Sequence, residues 1–206
     1  MRIIGSDLGL DGAGVSCFLG GILQRAEGKE FPPEEVPLPR GIEAKTAAAR
    51  AWVKRTRESA VFDKRIQEVV GWVVDRAAHY SYLGLKTTED PLVDTVIVLE
   101  VPPVHTFERT GNKNQWGIQQ LRLITGATYD RLIQRGFRVE GIYPLAWKSR
   151  FEDAEATVRR IKQAVVLGAI PATPGLEIAK TPGDLWSAVG IGWSVASRRE
   201  CEGRVG

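Results

Sequence analysis

The chain has 206 residues, 43% of them apolar and 26% charged, with a formal net charge of +3. A chain of that length can form one ordinary domain that buries about 70% of its unfolded surface. No apolar run reaches the ~18 residues of a membrane span, so composition argues against both membrane insertion and wholesale disorder. Cys17 lies in an apolar run and Cys201 in the polar tail, an arrangement that excludes a zinc knuckle or a dense disulfide framework and points to a reducing compartment. Met1 leads directly into Arg2-Ile3-Ile4 with no leader pattern, so a cytoplasmic protein is expected. The small positive charge permits nucleic-acid binding without requiring it.

Residues 2 to 8 and 13 to 19 are short apolar segments around the Gly9 to Gly12 turn, and a short third strand over 22 to 26 follows Gly20-Gly21. These predict a three-stranded antiparallel meander, stopped by the prolines from Pro32 to Pro39. From Glu43 to about Tyr82 the residues favour one long helix or two. Ala48, Trp52, Ile66, Val69, Val70 and Val73 fall at helical spacing, with Lys45, Arg50, Lys54, Arg55, Arg57, Lys64 and Arg65 on a basic outer face. Residues 93 to 101 are nearly continuous β-branched sequence ended by Pro102-Pro103, the pattern of a central strand buried on both faces. A helix over 114 to 135 stopped by Gly136, a strand over 137 to 143, and a helix over 154 to 167 come next. Residues 170 to 174 read as a loop. Thr181 then caps a last helix running to about Ser197, with Pro182 at its first position. The order predicts an α/β layer architecture.

Three acidic residues stand in unusual places: Asp7 and Glu100 near strand ends, and Asp184 in the first turn of a helix. If the strands of Asp7 and Glu100 are parallel neighbours, the two anions emerge side by side and repel unless they share a cation. Mg²⁺ is the natural partner, because it takes oxygen ligands and needs few of them from protein. A third carboxylate would complete a two-metal site for in-line attack on a phosphodiester. Each residue also has a structural reading. Asp7 could cap the hairpin turn, Glu100 could simply reach solvent, and Thr181-x-x-Asp184 has the form of a capping box that suits the helix dipole. The six tryptophans read mostly as core or dimer residues.

Ile4-Gly5-Ser6-Asp7-Leu8-Gly9 followed by Gly14-Val15 resembles the first strand and turn of the RNase H-like nucleases, in particular the RuvC-type Holliday junction resolvases. Val96-Ile97-Val98-Leu99-Glu100 resembles that family's strand ending in a catalytic Glu. Thr110 to Gly126 is similar to its polar loop and dimer-forming helix, Ile142-Tyr143-Pro144 to Lys148 to the next strand with its lysine, and Asp184 to Ile191 to the closing Asp and apolar helix. The resemblance implies an RNase H-like fold over residues 1 to 206 as one domain. Its five-stranded mixed sheet would hold three antiparallel strands, then parallel additions, flanked by helices. It further implies a homodimer that nicks four-way junctions symmetrically, leaving 5′-phosphate and 3′-hydroxyl ends.

The same resemblance gives Asp7 the role of bridging two Mg²⁺ ions, with Mn²⁺ as a substitute, while Glu100 and Asp184 complete one shell each. Lys148 would approach substrate phosphate. The family's further ligand three residues before the closing Asp is replaced by Thr181, so Glu177, Asp11 or water would have to serve. Where an aromatic wedge is common after the strand Glu, Pro102 and Pro103 stand instead, and Phe107 is the nearest ring. The loop from His105 to Gln115 carries Arg109, Asn112, Lys113 and Asn114, donors suited to straddling a phosphate backbone. A solvated surface loop is the other reading. His105 is a candidate for assisting a leaving group or a metal.

Rival functions are a sugar-kinase or actin-like ATPase, which needs a duplicated domain for which 206 residues leave little room, and a non-catalytic nucleic-acid-binding module of the same fold. Flaps, forks and RNA–DNA hybrids are alternative substrates.

Overall fold

In the computed structural model the described residues are 1–32, 40, 45–56, 62–85, 90–102, 115–151, 157–174, 176 and 183–203. Strands β1 (Arg2–Leu8), β2 (Gly12–Leu19) and β3 (Ile22–Glu30) form the meander. The Gly9 N–H donates to the Gly12 carbonyl at 2.8 Å and closes the first turn. The second turn is Gly20-Gly21, with φ of 53° and 74°. Two consecutive positive φ values match the right-handed twist of a tight hairpin. Helices α1 (Ala47–Thr56) and α2 (Phe62–Ser81) lie on the crossover to β4 (Thr95–Glu100), which pairs parallel with β1. Helix α3 (Gln115–Gln134) then leads to β5 (Arg138–Ile142), parallel to β4. The remaining helices are α4 (Pro144–Lys148), continued by a 3-10 turn over Ser149–Phe151, α5 (Thr157–Val166) and α6 (Gly183–Gly203). The sheet order is β3-β2-β1-β4-β5, the expected three antiparallel strands and two parallel additions.

Side chains alternate across a strand, and here that alternation builds two cores. Ile4, Val15, Ile97 and Leu99 face α2 and α3, where Val69, Val73, Ile124 and Leu132 meet them. Ile3, Phe18, Val96 and Val98 face the other way, toward Trp147, Ile161, Leu185 and Val189 of α4, α5 and α6. The same alternation sends Asp7, two residues on from Gly5, and Glu100, two on from Val98, to the α6 face. α6 lies against the sheet backbone: a Cβ on Gly5 would strike the Ala188 carbonyl and the Gly192 backbone. Ser16 Oγ donates to that Ala188 carbonyl at 2.7 Å.

Several expectations need correction. β3 runs to Glu30 instead of stopping at Ala26, because Glu27 to Glu30 pair with Val15 to Gly12 through backbone that a polar edge strand can supply. The segment expected as a loop joins this edge: Leu23 N–H donates to Pro171 O at 2.8 Å, and Thr173 N–H to Leu23 O at 2.9 Å. Of the one or two helices expected, two are described, and on α1 it is Ala49 that is buried, whereas Ala48 and Trp52 are exposed. Arg65 is no part of a solvated basic face. It is 7% exposed, donates to the Pro32 carbonyl and lies over the Phe31 ring. Pro144 ends β5 as expected but opens α4, so Lys148 sits in a helical turn and not on a strand. Gly136, at φ 85°, stops α3. α6 continues past Ser197 to Gly203. Among the described residues no helix is long and apolar enough to cross a membrane.

Candidate active site

The parallel register sets Ser6 beside Leu99, and one step further along both strands come Asp7 and Glu100. From β2, Gly12 and Gly14 present bare backbone to the start of α6. A Cβ on Gly12 would strike the Asp184 carboxylate, and one on Gly14 the backbone of Asp184 and Leu185. The two glycines thus let the first turn of α6 settle onto the sheet, with Asp184 at the end where Asp7 and Glu100 emerge. One helical turn on, the Ser187 side chain lies close enough to the Asp7 carboxyl to pull it down.

Desolvation pushes the Asp7 carboxyl up from 3.8 to about 7, with Glu100 and Asp184 adding repulsion; the Ser187 hydrogen bond and Lys148 offset part of it. Glu100 is also raised by desolvation, against the pull of Lys148 and of a hydrogen bond from Trp147. That bond runs from Trp147 Nε1 to Glu100 Oε2 at 2.7 Å. Lys148 Nζ lies 3.9 Å from Glu100 Oε1 and 5.1 Å from the centre of the Trp147 ring. Asp184 is raised by desolvation and then by Asp11 and Glu30. Those two carboxylates and Asp184 line an open cleft of about 570 Å³ with Leu10, Phe31 and Pro32.

Of the residues singled out from sequence, Asp7, Glu100, Asp184 and Lys148 therefore meet at one end of the sheet, and Asp11 borders it. His105, Phe107, Arg109, Asn112, Lys113, Asn114, Glu177 and Thr181 lie outside the described residues. Ser187 and Trp147 were not singled out. A helical spacing of three from Asp184 is the signal for the first; nothing in the sequence marks the indole N–H of the second. Among the described residues, no three His, Cys, Asp or Glu side chains converge closely enough to hold a metal ion. The donor set is nonetheless of the right kind. Three oxygen-only groups lie at this sheet end, and the Asp7 carboxyl is forced toward neutrality first by burial and then by repulsion from Glu100 and Asp184, which a hard divalent cation would relieve.

No family profile and no curated protein sequence matches the chain. Solved structures do share its fold. Thermus thermophilus RuvC in complex with Holliday junction substrate superposes with a TM-score of 0.56 at 15% identity, covering 97% of this chain and 96% of that one. A second Thermus thermophilus RuvC structure gives 0.54 at the same identity and coverage. The yeast mitochondrial Holliday junction resolvase gives 0.50 at 10% identity, over 96% of this chain and 82% of that one. The architecture is an RNase H-like α/β fold.

Proposed function

We propose that the chain, as one RNase H-like domain over residues 1 to 206, is a divalent-metal-dependent endonuclease that resolves four-way DNA junctions by paired nicks. The observation that carries this reading is the meeting of Asp7, Glu100 and Asp184, from β1, β4 and α6, at one sheet end. The likeness to Holliday junction resolvases supports the substrate class.

Asp7, Glu100 and Asp184 would hold two Mg²⁺ ions, or Mn²⁺ in their place, with Asp7 shared between them. Ions bound there supply Lewis acidity and a nucleophilic water for in-line phosphodiester hydrolysis. The chain's own groups do the positioning. Ser187 would orient the Asp7 carboxylate, and Trp147 and Lys148 partner the two oxygens of Glu100. Lys148, whose side chain is 34% exposed, would turn toward a phosphate. Arg109, Asn112, Lys113 and Asn114 would add backbone contacts, with His105, Phe107, Glu177 and Thr181 as auxiliary candidates. Symmetric nicking calls for two active sites. α3 leaves Leu123, Tyr129 and Ile133 exposed, apolar surface that a second copy of the chain would cover.

The test is incubation of labelled four-way junction, linear duplex and RNA–DNA hybrid with Mg²⁺, Mn²⁺ or chelator, alongside Asp7→Asn and Glu100→Gln. Paired, metal-dependent nicks confined to the junction and lost in both variants, with junction binding retained, are expected. Binding without any cut would replace this reading with a non-catalytic module of the same fold.

A further inference from the structure

Trp147 is fully buried and packs as a core residue, yet its one polar atom is spent on the candidate site. The indole N–H donates to Glu100 Oε2 at 2.7 Å, the short range typical of a donor facing a charged acceptor. The ring that carries this donor has little freedom. Phe151 meets it edge-on, with centroids 6.4 Å apart and planes at 74°. On the other side it fills a slot at Gly190 of α6, where a Cβ would come within 2.9 Å of ring atom Cζ3. The backbone beneath it is set by Pro144 at the start of α4.

The two oxygens of Glu100 are therefore held differently. Oε2 meets a donor locked in the core, whereas Oε1 faces Lys148, a flexible and partly exposed ammonium at 3.9 Å. We propose that Trp147 is a positioning residue: its indole N–H fixes the Glu100 side chain so that Oε1 stays available for an incoming cation. The proposal rests on the nuclease reading for the purpose of that orientation. The group acts through Glu100 and touches neither substrate nor ion. Donors that orient a metal-binding carboxylate commonly change affinity or activity by about 10- to 100-fold when removed, while a tryptophan kept for packing alone would lose nothing when its N–H is replaced within the same ring shape.

The experiment uses the full chain in two forms. Trp147→Phe keeps an aromatic ring without the donor. Site-specific β-(3-benzothienyl)alanine at the same position keeps the two-ring shape and replaces N–H with sulfur, and it decides the question if the Phe variant fails to fold. Calorimetric titration with Mg²⁺ and Mn²⁺ alone should show affinity lower by about 10-fold or more in the folded variants. Junction binding in chelator should match the wild type, and junction cleavage should fall at subsaturating metal. Wild-type metal affinity in a folded variant lacking the N–H would overturn the proposal. If the wild type binds metal but cuts no junction, the nuclease reading fails and the affinity comparison still decides the role of Trp147. No metal binding by the wild type would overturn both.

Discussion

Asp7 and Glu100 occupy adjacent positions on neighbouring parallel strands, one step past the Ser6–Leu99 pair, and both project toward α6. Without a cation, the burial of Asp7 and, after it, this juxtaposition cost stability. The Asp7 carboxyl is at about 7 in the folded chain against 3.8 when free. Between those values the folded state binds more protons than the unfolded one, so stability falls as pH rises through the window. Below it, both states are protonated and the contribution is intact. The loss reaches up to about 4 kcal/mol at 1.36 kcal/mol per unit, or about 10 °C in Tm for a chain of this size. In chelator, Asp7→Asn should melt well above wild type near pH ~8 and match it near pH ~4. Mg²⁺ should raise the wild-type Tm at the higher pH and leave the variant unmoved. A Tm gap independent of pH would contradict the account.

Much of this arrangement was legible in the sequence because its causes are local. Short apolar segments punctuated by glycine turns specify β1 and β2, an unbroken β-branched run specifies β4, and a strand buried on both faces that ends in Glu100 leaves that carboxylate few places to go. What was hidden depends on tertiary contact. β3 extends through polar residues because β2 offers it backbone partners. Arg65 is drawn inward by the Pro32 carbonyl and the Phe31 ring, neither of which periodicity can reveal. Trp147 and Glu100 are 47 residues apart, so their hydrogen bond leaves no spacing signature. The family resemblance groups Lys148 with the strand before it, whereas the lysine stands in the helical turn that Pro144 opens.

The approach of α6 to the sheet predicts a contrast between two glycines. A Cβ at Gly14 would strike the Asp184 and Leu185 backbone, whereas Gly126, on α3, has open space around it. Gly14→Ala must push the first turn of α6 outward, costing about 1–3 kcal/mol as an overpacked contact does. It should also abolish cleavage by displacing Asp184. Gly126→Ala should stabilise the helix by up to about 1 kcal/mol. Equal effects of the two in denaturant unfolding would mean that the close approach carries no weight.

Lys148 holds its ammonium 3.9 Å from Glu100 Oε1 and lowers the carboxyl it faces. Lys148→Ala removes that partner and, on the proposed reading, one phosphate contact. Junction binding measured across a salt series should lose a slope of about 1. Cleavage should fall with it, and Lys148→Arg should recover part of the binding because it restores the charge. An unchanged salt slope would leave Lys148 with a role toward Glu100 alone.

Asp11 and Glu30 border Asp184 in the open cleft and raise its carboxyl. Both are exposed, so their coupling to it is screened and worth under about 1 kcal/mol each. Neutralising them together, as Asp11→Asn with Glu30→Gln, lets Asp184 return toward the ordinary carboxylate range. It also removes anions that repel phosphate. Junction binding in chelator should tighten by about 2- to 5-fold, and Mg²⁺ affinity should weaken by no more than that, since only long-range attraction is lost. Asp184→Asn should instead eliminate metal-dependent cleavage. Single substitutions extend the test: if Asp11→Asn alone cost as much metal affinity as Asp184→Asn, Asp11 would be the ligand that replaces the residue missing at Thr181.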